Sequence, residues 1–177
     1  MNIKKGTISS EVLFDEVNDR KHRYYLYREW QDKGNIACVI MLNPSYADEV
    51  KWDYSSMRVM NYLIDYKLKK YKAIYIVNLF SVVETNSKNL FKIIPSDRNN
   101  SNTDYWIDNS IQKSDDIFIG WGAVKNKNMQ ARIDFVKSAI KKHNKSIYRF
   151  TNPDGSSSHV SRLTNKAKAK KITLSDL

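Results

Sequence analysis

The chain has 177 residues, with 30 Lys and Arg against 19 Asp and Glu, and its formal net charge is +11. With 41% hydrophobic residues, it is long and apolar enough for one globular domain spanning residues 1–177. Its 5 Gly and 3 Pro exclude collagen-like and low-complexity proteins, and the single Cys38 excludes a disulfide framework or a multi-thiolate zinc site.

The charge and hydropathy patterns indicate a cytoplasmic protein with a polyanionic partner. No segment reaches the ~18 consecutive apolar residues of a membrane span, and no apolar stretch follows the N-terminal lysines as it does in a secretory signal. We therefore expect a cytoplasmic location and no membrane partner. The positive surplus predicts binding to nucleic acid, and to DNA first. The alternative is a basic protein from a Lys-rich proteome, and charge alone leaves both open.

Short apolar runs predict the strands of the core. The first three are almost continuously apolar, as in strands covered on both faces, and the fourth is more amphipathic, as at a sheet edge. Segment 23–30 alternates imperfectly and would add an edge strand. Segment 1–20 is interpreted as a variable lead-in, and 165–177 as a basic C-terminal tail. In chain order the four runs are 36–42, 73–79, 116–121 and 146–150.

Helical patterns separate these runs. Apolar residues recur at a 3.6-residue period between the first and second runs and again between the third and fourth. The alternation of strands and helices predicts an α/β fold, a three-layer α/β/α sandwich with a mostly parallel central sheet of about four strands. The two apolar stripes are Met60, Leu63, Ile64 and Leu68, and Met129, Ile133, Val136 and Ile140.

Residues that can carry chemistry follow these strands at the point where each one ends. Asn43 opens the loop after the first run, and Asn78 lies near the end of the second. Trp121 stands between two glycines after the third, and His159 lies in a Ser-rich loop after the fourth. Because ligands of open α/β sheets bind beyond the carboxyl ends of the strands, we expect these side chains to share one pocket. We expect no metal and no cofactor there.

Each residue also has a purely structural interpretation. Asn43 before Pro44 is typical of a turn, since Asn favours turns and Pro fixes φ. A buried Asn78 must find hydrogen-bond partners and would instead tie down a neighbouring loop. Trp121 would fill the core. These alternatives stay open at the level of single residues.

The order of the motifs resembles the uracil-DNA glycosylase superfamily, which implies a fold of that type. The chain is also similar, over residues 23–163, to a family of uncharacterised bacterial and phage proteins with the same plan. Asn43 stands where the best-known branch of the superfamily has an acid, and Val160 replaces the first residue of its Pro-Ser-Pro run. The matching segments are Leu42-Asn43-Pro44, Ile76-Val77-Asn78, Ile119-Gly120-Trp121-Gly122 and His159-Val160-Ser161-Arg162-Leu163.

This resemblance implies a role for each residue in breaking an N-glycosidic bond. Asn43 would orient the attacking water, His159 would donate to the departing base, and Asp48 would supply negative charge near the sugar. Asp53 is a second nearby carboxylate, with helix capping as its alternative role. Base binding is assigned to Asn78, Tyr46, Phe80 and Trp121. DNA contacts are assigned to Ser45, Arg162, Leu163, Lys125, Lys127, Lys168 and Lys170.

Three functions are compatible with these residues. The first is a DNA glycosylase-like enzyme acting on a damaged or modified base, such as a phage-type modification. The second is a non-catalytic nucleic-acid-binding module of the same fold. The third is a hydrolase or binder of free modified nucleosides or nucleotides.

Overall fold

The computed structural model describes residues 5–123, 127–156, 159–162 and 167–177. These residues build one seven-stranded sheet flanked by helices. Its strands are β1 (Ser9–Val17), β2 (Arg20–Glu29), β3 (Asn35–Met41), β4 (Tyr71–Asn78), β5 (Asp116–Ile119), β6 (Ser146–Thr151) and β7 (Lys168–Ile172). Their order across the sheet is β1-β2-β4-β3-β5-β6-β7.

The sheet is mixed. Strand β3 pairs in parallel with β4 and β5, and β5 pairs in parallel with β6. Strand β2 runs antiparallel to β1 and β4, and β7 runs antiparallel to β6. The predicted sandwich of about four mostly parallel strands, of the uracil-DNA glycosylase type, is therefore wrong.

The prediction misses strands whose side chains are charged. Strand β1 lies in the segment interpreted as a lead-in and carries Glu11, Asp15 and Glu16, and β7 carries three lysines. Both are edge strands, which carry charge because one side meets water. β1 joins β2 through Asn18 and Asp19, whose φ angles of 53° and 56° suit a two-residue hairpin turn. The hairpin adds two antiparallel strands on one side of the sheet, and β7 adds one on the other.

Helices cover both faces of the sheet. Helix α1 packs Val59 and Leu63 against one face, where they join a core cluster with Val39 and Ile76. Helices α3 and α4 supply the core of the other face. The helices are α1 (Tyr54–Ile64), α2 (Ser87–Leu90), α3 (Ser101–Lys113) and α4 (Lys127–His143), with 3-10 turns at Pro95–Asp97, Val160–Arg162 and Leu174–Asp176.

The four parallel strands all end at the same edge of the sheet. Asn43 follows β3, Asn78 ends β4, and Trp121 lies two residues beyond β5. Within the described ranges, no helix is both long enough and apolar enough to cross a membrane. Asn43, Asn78 and Trp121 therefore all lie at the carboxyl edge of the parallel strands.

Candidate functional site

A cavity of about 400 Å³ opens at the carboxyl edge of the parallel strands. This volume suits a ligand the size of a nucleotide. The cavity lies between the loop after β3, the start of α1 and the 3-10 turn at Val160–Arg162. The predicted residues that line it are Asn43, Ser45, Tyr46, Trp121, His159 and Arg162, together with Asp53.

The first wall is a loop that Asn43 fastens to the segment after β4. Its Nδ2 donates to the carbonyl oxygens of Glu84 at 2.6 Å and Pro44 at 3.1 Å. The Glu84 backbone N–H donates in turn to Pro44 O at 3.1 Å. Both side-chain bonds use the NH₂ group, so the polar atom that remains on the amide is the acceptor Oδ1. Asn43 therefore has the structural role of its alternative interpretation and still lines the cavity.

The opposite wall carries His159 against the end of β5. Trp121 and His159 form an isolated antiparallel bridge. The Ser161 backbone N–H donates to His159 Nδ1 at 3.2 Å, so the neutral imidazole carries its proton on Nε2. A Cβ on Gly122, whose φ is 82°, would lie 3.1 Å from His159 N. Gly122 is therefore required for the close approach that brings His159 to Trp121.

A buried cation, Arg23, which is not among the predicted site residues, completes the site. Arg23 lines the cavity although it is only 2% exposed, and its Nη1 donates to Ala47 O at 2.8 Å. Its Nε has no hydrogen-bond partner among the described residues. Burial lowers the pKa of the guanidinium to about 10, against the opposing effect of Asp53, so Arg23 remains charged at neutral pH.

A β-bulge explains how Arg23 comes to face the cavity. The register between β1 and β2 shifts, with Leu13 opposite Tyr25 and Phe14 opposite Arg23. Tyr24 is thus an extra residue, and a bulge re-aims the side chains beyond it. In the sequence, Arg23 stands at the start of a Tyr-rich strand, and this pattern does not predict a bulge.

Three of the residues predicted for catalysis or base binding do not line the cavity. Phe80 is buried in the opposite core cluster, with its ring centroid 5.7 Å from that of Phe91. Asp48 accepts from the backbone N–H groups of Lys51 at 2.6 Å and Val50 at 2.9 Å, which lower the pKa of its carboxyl. Asp48 is thus a turn acceptor outside the cavity lining, and its role near the sugar stays a prediction.

Asn78, the third, ends β4, which lies between two strands that carry residues lining the cavity. It pairs in register with Met41, and β4 runs between the strands of Arg23 and Met41, which both line the cavity. Side-chain alternation puts Asn78 on the same face as Ile76, the α1 face. It is 2% exposed, and neither amide atom has a hydrogen-bond partner in the described part of the chain. The Asn78 amide is therefore buried beside strands that line the cavity, and it lacks partners among the described residues.

The remaining cationic residues lie away from the cavity lining. Lys127 begins α4, and Lys168 and Lys170 are exposed on β7. Lys125 and Leu163 lie outside the described residues. The described residues contain no group of three or more His, Cys, Asp or Glu placed to hold a metal ion. The charges at the cavity are thus Arg23 and Arg162 against Asp53 and Glu84.

A family comparison matches most of this chain. Residues 23–160 fit the model of a family described as "Protein of unknown function (DUF1643)". The chain belongs to the DUF1643 family. The expectation of an uncharacterised family is confirmed. No curated protein and no solved structure matches the chain, so the resemblance to the uracil-DNA glycosylase superfamily is not confirmed.

The DUF1643 match includes most of the residues that line the cavity. It begins at Arg23, and it ends one residue after His159. Asn43, Asp53 and Trp121 lie between these limits, while Arg162 and β7 lie beyond them. Of the residues that line the cavity, Ser161 and Arg162 lie outside the DUF1643 segment and all the others lie within it.

Proposed function

We propose that this DUF1643 protein is a glycosylase-like enzyme that hydrolyses the N-glycosidic bond of a damaged or modified base in DNA. The observation that carries the proposal is that Asn43, Trp121 and His159, far apart in sequence, line one cavity of about 400 Å³. An amide, an aromatic ring and a neutral imidazole are groups that can position a water, contact a flat base and donate to it.

The proposed hydrolysis needs little proton transfer before the N-glycosidic bond breaks. The bond between the sugar C1′ and the base nitrogen breaks heterolytically, leaving an oxocarbenium-like sugar and an anionic base. Asn43 Oδ1 accepts a hydrogen bond from a water that then adds to C1′, and the proton that this water loses neutralises the departing base anion. His159 Nε2–H donates to the oxygen of the departing base, and a donor of this kind contributes about 3–4 kcal/mol to the transition state.

A carboxylate near the sugar is supplied by Asp53 in place of Asp48. Asp53 lines the cavity and is 9% exposed. Its Oδ1 accepts the Ser56 backbone N–H at 2.7 Å and caps α1, which fixes the carboxylate in place. A fixed negative charge stabilises a developing sugar cation without covalent chemistry. Asp53 thus serves both of the roles considered for it.

Base recognition is assigned to the bottom of the cavity. Asn78 has a paired donor and acceptor with no partners among the residues described, which suits the edge of a pyrimidine or purine once Met41 moves aside. Leaving both amide atoms buried and unpaired costs about 1–3 kcal/mol per group. A ligand that satisfies them offsets this cost. Trp121 and Tyr46 supply aromatic contact to the ring.

The test is base release from defined oligonucleotides. The protein is incubated with single- and double-stranded DNA carrying uracil, hydroxymethylated or glucosylated pyrimidines, and alkaline cleavage scores abasic sites. We expect release from at least one substrate and a loss of about 100-fold in Asn43→Ala and in His159→Gln. Asn61→Ala, a change on the exposed side of α1, is the matched control. Unfolding temperatures confirm that the variants are folded.

A negative result across all substrates contradicts the proposal. The protein would then be a non-catalytic binding module if it still binds DNA, if Asn43→Ala leaves the affinity unchanged, and if the affinity falls as the salt concentration rises. The salt dependence alone does not decide, because an enzyme on DNA shows it as well.

Arg23 favours a second candidate, a binder or hydrolase of free modified nucleotides. A charged guanidinium that is 2% exposed and lines the cavity would attract the phosphate of a small anionic ligand. Calorimetry with nucleoside monophosphates and the matching nucleosides tests it. Tighter binding of the monophosphate, lost in Arg23→Met, supports this candidate. Equal binding of both excludes it.

A further inference from the structure

Exposed aromatic side chains cluster beside the mouth of the cavity. Among the described residues, five of the ten exposed large apolar side chains fall between positions 46 and 57. Such a concentration marks a binding surface, since scattered exposed apolar residues need no explanation but a contiguous patch does. We name three of these residues, Trp52, Tyr54 and Met57, together with Lys51 and Arg58, the rim platform.

The rim platform is continuous with the cavity. Tyr54 is the first residue of α1 and lines the cavity itself. Trp52 and Tyr54 flank Asp53, the capping residue that also lines the cavity. Tyr46, which is 59% exposed, adds a further ring at the cavity mouth. A ligand that fills the cavity and extends outward therefore meets aromatic surface.

The platform is held in place from below by Arg28. Its guanidinium lies 3.5 Å from the centroid of the Trp52 ring. Its Nη2 donates to Asp48 O at 2.8 Å and Lys51 O at 3.0 Å, and the residue is only 1% exposed. Stacking and two backbone bonds from one rigid group fix the loop that carries Trp52. Pre-ordered rings lose little freedom on binding, which favours affinity.

The charge around the rings selects the ligand. The Arg58 guanidinium lies 4.9 Å from the Tyr54 ring centroid, Lys51 is exposed, and the chain carries a net charge of +11. Rings interleaved with cations bind bases by stacking and phosphates by charge. In a duplex each base is stacked between neighbours and does not offer its faces. Only unpaired nucleotides can use both parts of the platform.

We propose that the rim platform binds the unpaired bases that flank the nucleotide held in the cavity, so that single-stranded nucleic acid is the preferred substrate class. The inference rests on the proposed function for the identity of the cavity's ligand. It assigns the platform on its own observations, namely exposed rings fixed by Arg28 and flanked by cations.

The test is fluorescence anisotropy with a labelled 15-nucleotide oligo(dT) and a labelled 15-base-pair duplex. We expect the single strand to bind more tightly than the duplex. Tyr54→Ala and Trp52→Leu are each expected to weaken single-strand binding about 5- to 100-fold while leaving duplex binding unchanged. Tyr105→Ala, which removes an equally accessible tyrosine on α3 that is 59% exposed, is the matched control. Urea unfolding verifies the fold of each variant.

The outcomes separate the platform from the enzyme. If platform variants bind oligo(dT) like the parent protein, or if the duplex binds as tightly as the single strand, the inference is overturned and the patch is a surface for another partner class. If oligo(dT) binding depends on the platform but no base is released from any substrate, the platform stands and the proposed enzyme fails. If base release is equal from both DNA forms and ignores Tyr54 and Trp52, the enzyme stands and the platform fails.

Discussion

The two edges of the parallel strands hold buried polar groups in opposite ways. At the amino edge, Asp116 accepts two bonds of 2.7 Å from Lys69 Nζ and one of 2.8 Å from the Tyr71 hydroxyl. At the carboxyl edge, Arg23 Nε and both amide atoms of Asn78 lack hydrogen-bond partners within the described residues. Asp116 and Asn78 are similarly buried, at 1% and 2% exposed, but among the described residues only the Asp116 side chain has hydrogen-bond partners.

This difference separates stability from function in one sheet. A satisfied buried polar group rigidifies a fold, whereas an unsatisfied one costs free energy in the absence of a ligand. Exceptions to local consistency concentrate at functional sites. We therefore assign the amino-edge cluster of Lys69, Tyr71 and Asp116 to stability, and the carboxyl edge to binding.

The largest expected effect is at the amino edge. Asp116→Ala removes a carboxylate whose side chain is 2% exposed and leaves the Tyr71 hydroxyl and Lys69 without their partner. We expect the free energy of unfolding to fall by about 2–4 kcal/mol, with Lys69 recovering part of the loss through water. Urea titration measures it. Asp32→Ala, at an exposed position, should change stability little.

Binding provides the second readout for this variant. Under conditions where Asp116→Ala remains folded, its affinity for DNA should equal that of the parent protein, because the cluster lies at the other end of the strands. A loss of affinity in the folded variant would show that the two edges are coupled and would break the comparison.

Two substitutions that remove a polar group with little change in side-chain shape test the comparison between the two edges more sharply. Asn78→Leu replaces an unpaired amide by methyl groups of the same branching, so stability should stay constant or rise by about 1 kcal/mol. Base release should fall at least 10-fold, because the amide no longer reads the ligand. Tyr71→Phe, the counterpart at the amino edge, should lose about 1 kcal/mol of stability with base release unchanged.

The comparison between the two edges is contradicted if Asn78→Leu lowers the free energy of unfolding as Tyr71→Phe does. A stability loss of 2 kcal/mol or more in Asn78→Leu would mean that the amide has partners in solution and belongs to the structural framework. Urea unfolding and alkaline cleavage of the reaction products provide both measurements on the same preparations.

The parallel part of the sheet was accessible from sequence because its strands are buried on both faces. The run at 36–42 corresponds to β3, with bounds Asn35–Met41, and the run at 116–121 corresponds to β5, with bounds Asp116–Ile119 and every residue buried. Continuous burial leaves an apolar signature that does not depend on the partners of a strand. The hairpin partner β1 carries no such signature, and neither does β7, so the mixed topology was missed.

The site was predictable in part for a related reason. A strand end fixes where Asn43, Trp121 and His159 meet, because parallel strands end at one edge. How deeply a side chain is buried at that edge depends instead on packing and strand register. Asn78 ends its strand as predicted, yet it is 2% exposed and does not line the cavity. Arg23 reaches the cavity only through a bulge, and no local residue pattern announces one.

The smallest expected effect concerns pH, and it again contrasts the two edges. His22 lies on β2 beside the segment that follows β4, is 1% exposed, and has its Nδ1 2.8 Å from Ser81 Oγ. Burial lowers the pKa of its imidazole, and so does Arg20, whereas Asp15 and Asp97 raise it. The charged residues on either side of His22 in the sequence do not indicate this burial.

A lowered pKa in the folded state makes the protein less stable in acid. Above the unfolded value of about 6.5 the histidine is neutral in both states, and below it the unfolded chain binds a proton that the folded protein resists. The free energy of unfolding should therefore fall by up to about 1 kcal/mol between pH 7.5 and 5.5. His22→Gln should flatten this dependence, whereas Tyr71→Phe should shift stability equally at each pH. Parallel pH profiles for the parent protein and His22→Gln would show that the ring accepts its proton in the folded state, and the carboxyl edge would then accommodate a new charge as readily as the amino edge holds Asp116.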